Sequence, residues 1–253
     1  MNGVFDISGK RALVTGASSG LGEHFAQTLA RAGAHVLVAA RRVERLQSLV
    51  ERIRENGGSA QALALDVCCA DSVARAVQIA SEPGLDIVVN NAGVSVARPV
   101  LEQTEEDWDV VLETNLKGSW RVASESARWM VKQGRPGSIV NIASILGERV
   151  AGGVVPYAVS KAGVLHMTRA LALEFARYDI RVNALAPGYV STELNADFLA
   201  SESGKRLMSR IPQRRFADPQ DLDGALLLLV SQAGRAITGT TLAVDGGHLI
   251  SSL

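Results

Sequence analysis

The chain has 253 residues, and its 26 Lys plus Arg balance 26 Asp plus Glu, so the formal net charge is zero. That balance excludes the electrostatic footprint of a nucleic-acid binder and leaves no polybasic segment for an anionic membrane surface. Hydrophobic residues at 47% exclude wholesale disorder, and aromatics at only 4% mean the core is built from Ala, Val, Leu and Ile.

Short apolar runs alternate with longer amphipathic segments along the chain. The run Arg11 to Thr15 leads into Gly16-Ala17-Ser18-Ser19-Gly20-Leu21-Gly22 and a helix expected from about Glu23. Val36 to Ala40 leads into Arg41, Arg42 and a helical stretch to Glu55. Ala62 to Leu65 precedes Asp66, Val67, the pair Cys68-Cys69 and a helix over Asp71 to Ala80. Ile87 to Val89 precedes Asn90-Asn91-Ala92-Gly93 and one long helical pattern, Glu105 to Lys132. Ile139 to Ile142 and Val182 to Ala186 flank a helix over Tyr157 to Arg177. A helix over Pro219 to Ser231 and a last run, Thr241 to Val244, complete the series.

Near-continuous apolar runs predict parallel strands buried on both faces. Their alternation with helices predicts an α/β fold: a Rossmann-type doubly wound sheet of about seven parallel strands, with helices on both faces. No linker or repeat divides the chain, so residues 1–253 read as a single domain. The polar stretch Tyr189 to Phe216 resists the pattern, and a connection that long predicts a substrate lid at about 189–216. Adjacent cysteines cannot form an ordinary disulfide, so a small-core packing role is expected for them. No apolar run is long enough to span a bilayer, and the N-terminus lacks a basic n-region and an apolar h-region. A cytoplasmic protein is the expectation.

The glycine-rich turn between the first strand and its helix would let a backbone approach a pyrophosphate, with helix N–H groups as donors. An acidic residue at the end of the second strand would favour NAD, but that place holds Ala40, followed by Arg41 and Arg42. A guanidinium matches the 2′-phosphate of NADP, and a basic residue otherwise opposes a helix N-terminus, so NADP is preferred to NAD. Tyr157 and Lys161 stand four apart in a helical pattern and so share a face. A nearby ammonium is expected to draw a phenol toward working pH, where it can act as an acid. Ser144 falls at the C-terminal edge of a strand, where ligands lie in open α/β sheets. Asn115 sits inside the long helical pattern, a place its propensity disfavours.

Thr15-Gly16 through Gly22, Asp66-Val67, Asn90 to Gly93, Asn115, Ser144, Tyr157-x3-Lys161, Pro187-Gly188 and Val244-Asp245-Gly246-Gly247 occur in one order. In that order they resemble the short-chain dehydrogenase/reductase family, in its classical branch, over essentially the whole chain. The resemblance implies that Tyr157 is the general acid/base, that Ser144 hydrogen-bonds the substrate oxygen, and that Lys161 binds the nicotinamide ribose. Asn115 would hold a water linking Lys161 to solvent. Gly16, Ser18, Ser19, Gly20, Leu21 and Gly22 would carry the phosphates, with Arg41 and Arg42 beside them. Asp66 and Val67 would meet the adenine. Asn91, Ala92 and Gly93 would line the cofactor, and Pro187, Gly188, Val190 and Thr192 would hold the nicotinamide.

Relatives that use NADP often carry a basic residue inside the glycine turn, where this chain has Ser18-Ser19. Relatives acting on acyl-carrier-protein substrates tend to have an arginine where this chain has Leu173. The substrate wall is expected from Val96, Leu146, Val150, Val154, Tyr189 and Leu194, mostly small and aliphatic. It would take a carbonyl compound or secondary alcohol of moderate size and low charge. The four histidines, His24, His35, His166 and His248, lack ligand spacing, so no metal is expected, and His248 reads as a solvated tail residue. Trp108, Trp120 and Trp129 point to helix packing or a subunit interface, and the family implies a homotetramer or homodimer. Competing readings are an NAD-dependent alcohol dehydrogenase, a 3-oxoacyl reductase and a non-catalytic cofactor sensor, the last disfavoured by an intact Ser–Tyr–Lys set.

Overall fold

The computed structural model describes residues 3–192 and 196–251. Strands β1 (Arg11–Thr15), β2 (His35–Ala40), β3 (Ser59–Ala64), β4 (Ile87–Asn90), β5 (Gly137–Ile142), β6 (Ile180–Pro187) and β7 (Thr241–Val244) form one sheet in the order 3-2-1-4-5-6-7. Every pairing is parallel. The strand order reverses between β1 and β4, which opens a crevice above the carboxyl ends of the strands. β1, β2, β4 and β5 are almost wholly buried, as their unbroken apolar runs require. β3, at one edge, alternates instead between buried and exposed positions, and β7, at the other edge, is half-buried throughout. An edge strand has a partner on one side only, so the expectation of burial on both faces fails there.

Helices α1 (Gly20–Arg31), α2 (Val43–Glu55) and α9 (Asp223–Val230) cover one face around Phe25, Leu29, Leu46, Leu49 and Leu226. Helices α3 (Ala70–Ser81), α5 (Ser119–Lys132) and α6 (Val155–Phe175) cover the other around Val77, Val122, Met130 and Ile139. Each such side chain contributes roughly 2 kcal/mol by leaving water, and the two cores clamp the sheet that carries the site. α6 carries Pro156 in its first turn, where a missing N–H costs nothing.

The pattern read as one helix over Glu105 to Lys132 is three elements. α4 (Glu105–Leu112) opens with a reciprocal Thr104–Asp107 capping box. A π-helical turn, Glu113–Gly118, follows before α5 begins. Sequence periodicity missed the turn because one extra residue barely disturbs the apolar spacing.

The stretch expected as a lid is tethered at its base, where Val190 bridges Ala217 and Ser191 N–H donates to the Ala217 carbonyl at 2.8 Å. It carries two short helices, α7 (Ala196–Ala200) and α8 (Glu202–Met208). Among the described residues, no helix is long and apolar enough to cross a membrane.

Candidate active site

A cleft of about 1140 Å³ runs along the carboxyl ends of the strands. Its first end is built by the turn after β1. Gly16 has φ +66°, and a Cβ there would lie 2.8 Å from Ala92 Cα, so both conformation and space demand glycine. Gly22 does not line the cleft. It lies beneath the turn, where a Cβ would fall on the Gly16 carbonyl oxygen and the Asn91 amide. Asn91 is the brace: its Nδ2 donates to the carbonyls of Thr15 (3.1 Å) and Gly16 (3.3 Å), while Thr15 Oγ1 accepts from the N–H groups of Asn91 and Ala92. The motif residues thus hold one another, leaving Ser18, Ser19, Gly20 and Leu21 on the cleft wall.

Arg41 and Arg42 line the same end. Arg42 Nη2 donates to Ser18 Oγ at 2.9 Å and to Ser19 Oγ at 3.2 Å. The guanidinium therefore reaches back to the glycine turn, to the place where the turn itself lacks a basic residue. Asp66, Val67, Ala92 and Gly93 continue the wall, and Asp66 Oδ1 accepts from Cys68 N–H at 3.0 Å. Cys68 also lines the cleft, with Sγ 3.4 Å from Thr114 Oγ1, while Cys69 is exposed. Cys68 is half-buried and packs against the core under α3 and α5, as expected, whereas Cys69 does not.

At the middle of the cleft stand Ser144, Tyr157 and Lys161. Ser144 follows β5, and its Oγ accepts from Leu146 N–H at 3.1 Å, which turns the chain into a short 3-10 segment. The Ser144 hydroxyl lies close enough to the Tyr157 phenol to pull it down. One helical turn brings Lys161 Nζ to 5.5 Å from the Tyr157 ring centroid, and that Nζ donates to the Ile142 carbonyl at 2.7 Å. Burial holds the Lys161 ammonium down at about 8. Burial also pushes the Tyr157 phenol up from its ordinary value, against the pull of the Ser144 hydroxyl. The expectation that Lys161 draws this phenol down is not met, because loss of hydration is the largest effect on it. The phenol consequently keeps its proton at neutral pH and is poised as an acid.

Asn115 lies in the π-helical turn, buried, and does not line the cleft. Its Oδ1 accepts from Val94 N–H at 2.8 Å, and its Nδ2 donates to the Val94 carbonyl (2.9 Å) and to Ser160 Oγ (3.0 Å). The side chain thus ties the segment after Gly93 to α6 beside Lys161. The odd placement of an asparagine in a helix was the sequence signal, and the π turn is its structural cause.

Pro187, Gly188, Tyr189, Val190 and Thr192 continue the wall beyond β6. Of the expected substrate wall, Leu146, Val154 and Tyr189 line the cleft. Val96 and Val150 do not, and Val150 is 90% exposed. Leu194 lies outside the described residues. None of the described residues beyond Thr192 lines the cleft. Residues missed from the sequence include Cys68, Thr114, Ala143 and Ile145, together with Ala97, Ala151 and Gly152, which are small loop residues without a chemical mark. His248 is also corrected: it is 6% exposed, and its ring lies against Tyr189. Among the described residues, no group of three or more His, Cys, Asp or Glu could hold a metal ion.

A doubly wound sheet with a glycine turn after β1 and a Ser–Tyr–Lys set after β5 defines a nicotinamide-type dehydrogenase architecture. A family model described as enoyl-(acyl carrier protein) reductase matches residues 16–248. The gluconate 5-dehydrogenase of Gluconobacter oxydans is 38% identical over 98% of both chains. A 3-oxoacyl-[acyl-carrier-protein] reductase of Thermotoga maritima is 37% identical over 96% of this chain and 99% of its own. Among solved structures, a Sinorhizobium meliloti 1021 protein assigned as a short-chain alcohol dehydrogenase is 45% identical, with a TM-score of 0.94 over 99% of this chain and 100% of its own. A Burkholderia cenocepacia gluconate 5-dehydrogenase, solved with NADP and tartrate, is 35% identical with a TM-score of 0.94 over 98% of both chains. The chain belongs to the short-chain dehydrogenase/reductase family.

Proposed function

We propose that this protein is an NADP-dependent oxidoreductase that transfers a hydride between the nicotinamide and a carbonyl or secondary alcohol of moderate size and low charge. The observation that carries the reading is one continuous cleft with Arg41 and Arg42 at one end and Ser144, Tyr157 and Lys161 at its middle. The cofactor fits the residues present. Gly16 and Gly20 put no side chain on the cleft wall, which offers two guanidinium groups at the end of β2 and the Ser18 and Ser19 hydroxyls, with Ala40 where a carboxylate would favour NAD. Gluconate dehydrogenases and 3-oxoacyl reductases among the relatives place hydroxy-acid and oxoacyl carbonyl chemistry within the family's range.

When bound, NADPH supplies the hydride that adds to the carbonyl carbon. Tyr157 gives its phenolic proton to the carbonyl oxygen, so the C=O becomes CH–OH. Ser144 donates a hydrogen bond to that oxygen and stabilises the charge it gathers. Lys161, buried and close to its own titration, steadies the phenolate that remains and lies beside the route for its reprotonation. Asn115 acts as a positioning residue, holding the Val94 segment and α6 at fixed distance. The segment 189–216 is proposed to cover the substrate end, which its anchoring at Ala217 supports. Homotetramer or homodimer formation is supported by apolar side chains left exposed on α4, α5 and α6, namely Val110, Trp120 and Val159, and by the half-buried edge β7. A reducing cytoplasm suits two adjacent free cysteines.

The test is nicotinamide turnover on a broad panel of ketones and secondary alcohols, with NADPH and NADH in parallel and Tyr157→Phe as control. Turnover preferring NADPH and falling about a thousandfold in the variant, with NADPH still bound, is the expected result. Equal use of both cofactors rejects the phosphate role of the arginines, and full activity of the variant rejects the acid role of Tyr157.

A further inference from the structure

Tyr189 follows the Pro187-Gly188 turn on the cleft wall. Its ring packs against Phe216, with centroids 6.5 Å apart, and against His248, at 5.8 Å. His248 belongs to a C-terminal turn folded by Asp245, whose carboxylate accepts from the N–H groups of Gly247 (2.9 Å) and Leu249 (2.6 Å). Arg149, from the loop after Ser144, locks that turn by donating to the His248 carbonyl and, at 2.7 Å, to Ser251 Oγ. Three segments far apart in sequence therefore fix one tyrosine.

Both acceptors of Arg149 are neutral, and no carboxylate lies within ion-pair distance of it among the described residues. Its positive charge is felt at the Tyr189 phenol, which it pulls down while burial pushes it up. The Tyr189 hydroxyl has no hydrogen-bond partner among the described residues, and it is near enough to Tyr157 for its charge to raise that phenol. A half-buried phenol held rigidly beside the reacting centre, unpartnered and next to an uncompensated cation, is a donor waiting for an oxygen.

We propose that Tyr189 is a second hydrogen-bonding phenol of the substrate site and selects carbonyl compounds that carry a hydroxyl or carboxylate next to the reacting carbon. The proposal rests on the carbonyl chemistry assigned above and narrows its substrate class. A single carboxylate remains compatible with a substrate of low charge.

The experiment compares kcat and KM of the wild type and Tyr189→Phe on butanone, acetoin and pyruvate with NADPH. Phenylalanine keeps the ring packed on Phe216 and His248 and removes only the hydroxyl. The wild type is expected to prefer acetoin or pyruvate to butanone by about tenfold or more, a preference that Tyr189→Phe erases through KM. Butanone, which offers no second oxygen, is expected to lose least, and NADPH titration checks that the variant is folded. Arg149→Gln separates the two oxygen sources: a loss confined to pyruvate identifies the carboxylate, and an unchanged ratio of pyruvate to acetoin identifies the hydroxyl. A wild type that reduces butanone as well as the others, or a Tyr189→Phe enzyme that keeps the preference or loses all three equally, overturns the inference alone. Inertness toward all three overturns it too, and inertness toward every carbonyl of the broader panel overturns the underlying reading as well.

Discussion

At the phosphate-loop end of the cleft the chain is constrained through its backbone, whereas at the substrate end it is constrained through side chains from distant segments. Gly16 and Gly22 are required because another main chain or a bracing amide occupies the space a Cβ would take. Tyr189 stands where it does because Phe216, His248 and Arg149 converge on it and on its neighbours. A backbone constraint tolerates one residue type and leaves a mark at a fixed spacing. A packing constraint tolerates many combinations and leaves none. The cofactor end is therefore rigid in design across chemistries, and the substrate end is where specificity can change.

The largest effect that would separate the two ends comes from Gly22→Ala. Its methyl collides with main chain, so the variant should lose about 3 kcal/mol of stability by denaturant unfolding and most of its NADPH affinity by titration. Unchanged binding would show that the turn is not held through its backbone.

Next comes Lys161, where the ends meet. Its folded value of about 8 lies below the ordinary 10.5, so between these values the unfolded chain holds a proton the native chain has released. Stability should then rise with pH, by on the order of 2 kcal/mol between about pH 8 and about pH 10 in urea unfolding, and Lys161→Met should flatten that slope.

A smaller and more selective effect belongs to Arg42→Ala, which should weaken NADPH about tenfold while leaving NADH binding unchanged. Equal losses for both would move the arginine from phosphate recognition to support of the Ser18-Ser19 turn. The smallest expected effect is that of Val150→Ala. Its side chain is exposed and does not line the cleft, so KM and stability should stay as they are, within about 0.5 kcal/mol for the latter. A changed KM would place it in the substrate wall after all.

Legibility in the sequence followed the same division. The seven strands were readable because a central parallel strand must be apolar along its length, and the exceptions were the two edges, β3 and β7. The positions of the glycine turn, Ser144 and the Tyr157–Lys161 pair were readable from motifs at their spacing. The π turn around Asn115 was only half legible, since an asparagine in a helical pattern signals trouble without saying that three hydrogen bonds to Val94 and Ser160 resolve it. Cys68, expected to pack on the core, does so and also forms cleft wall beside Thr114, a second role that spacing along the chain does not reveal.

By itself the sequence determined the sheet, the family, the cofactor turn and the reacting groups, because each depends on local backbone geometry or on a few residues at short range. Only the tertiary structure decided that Arg42 reaches the glycine turn, that the Tyr157 phenol is pushed up rather than drawn down, and that His248 is buried beside Tyr189. Those outcomes depend on desolvation and on contacts between residues up to a hundred positions apart, and neither is encoded in spacing along the chain.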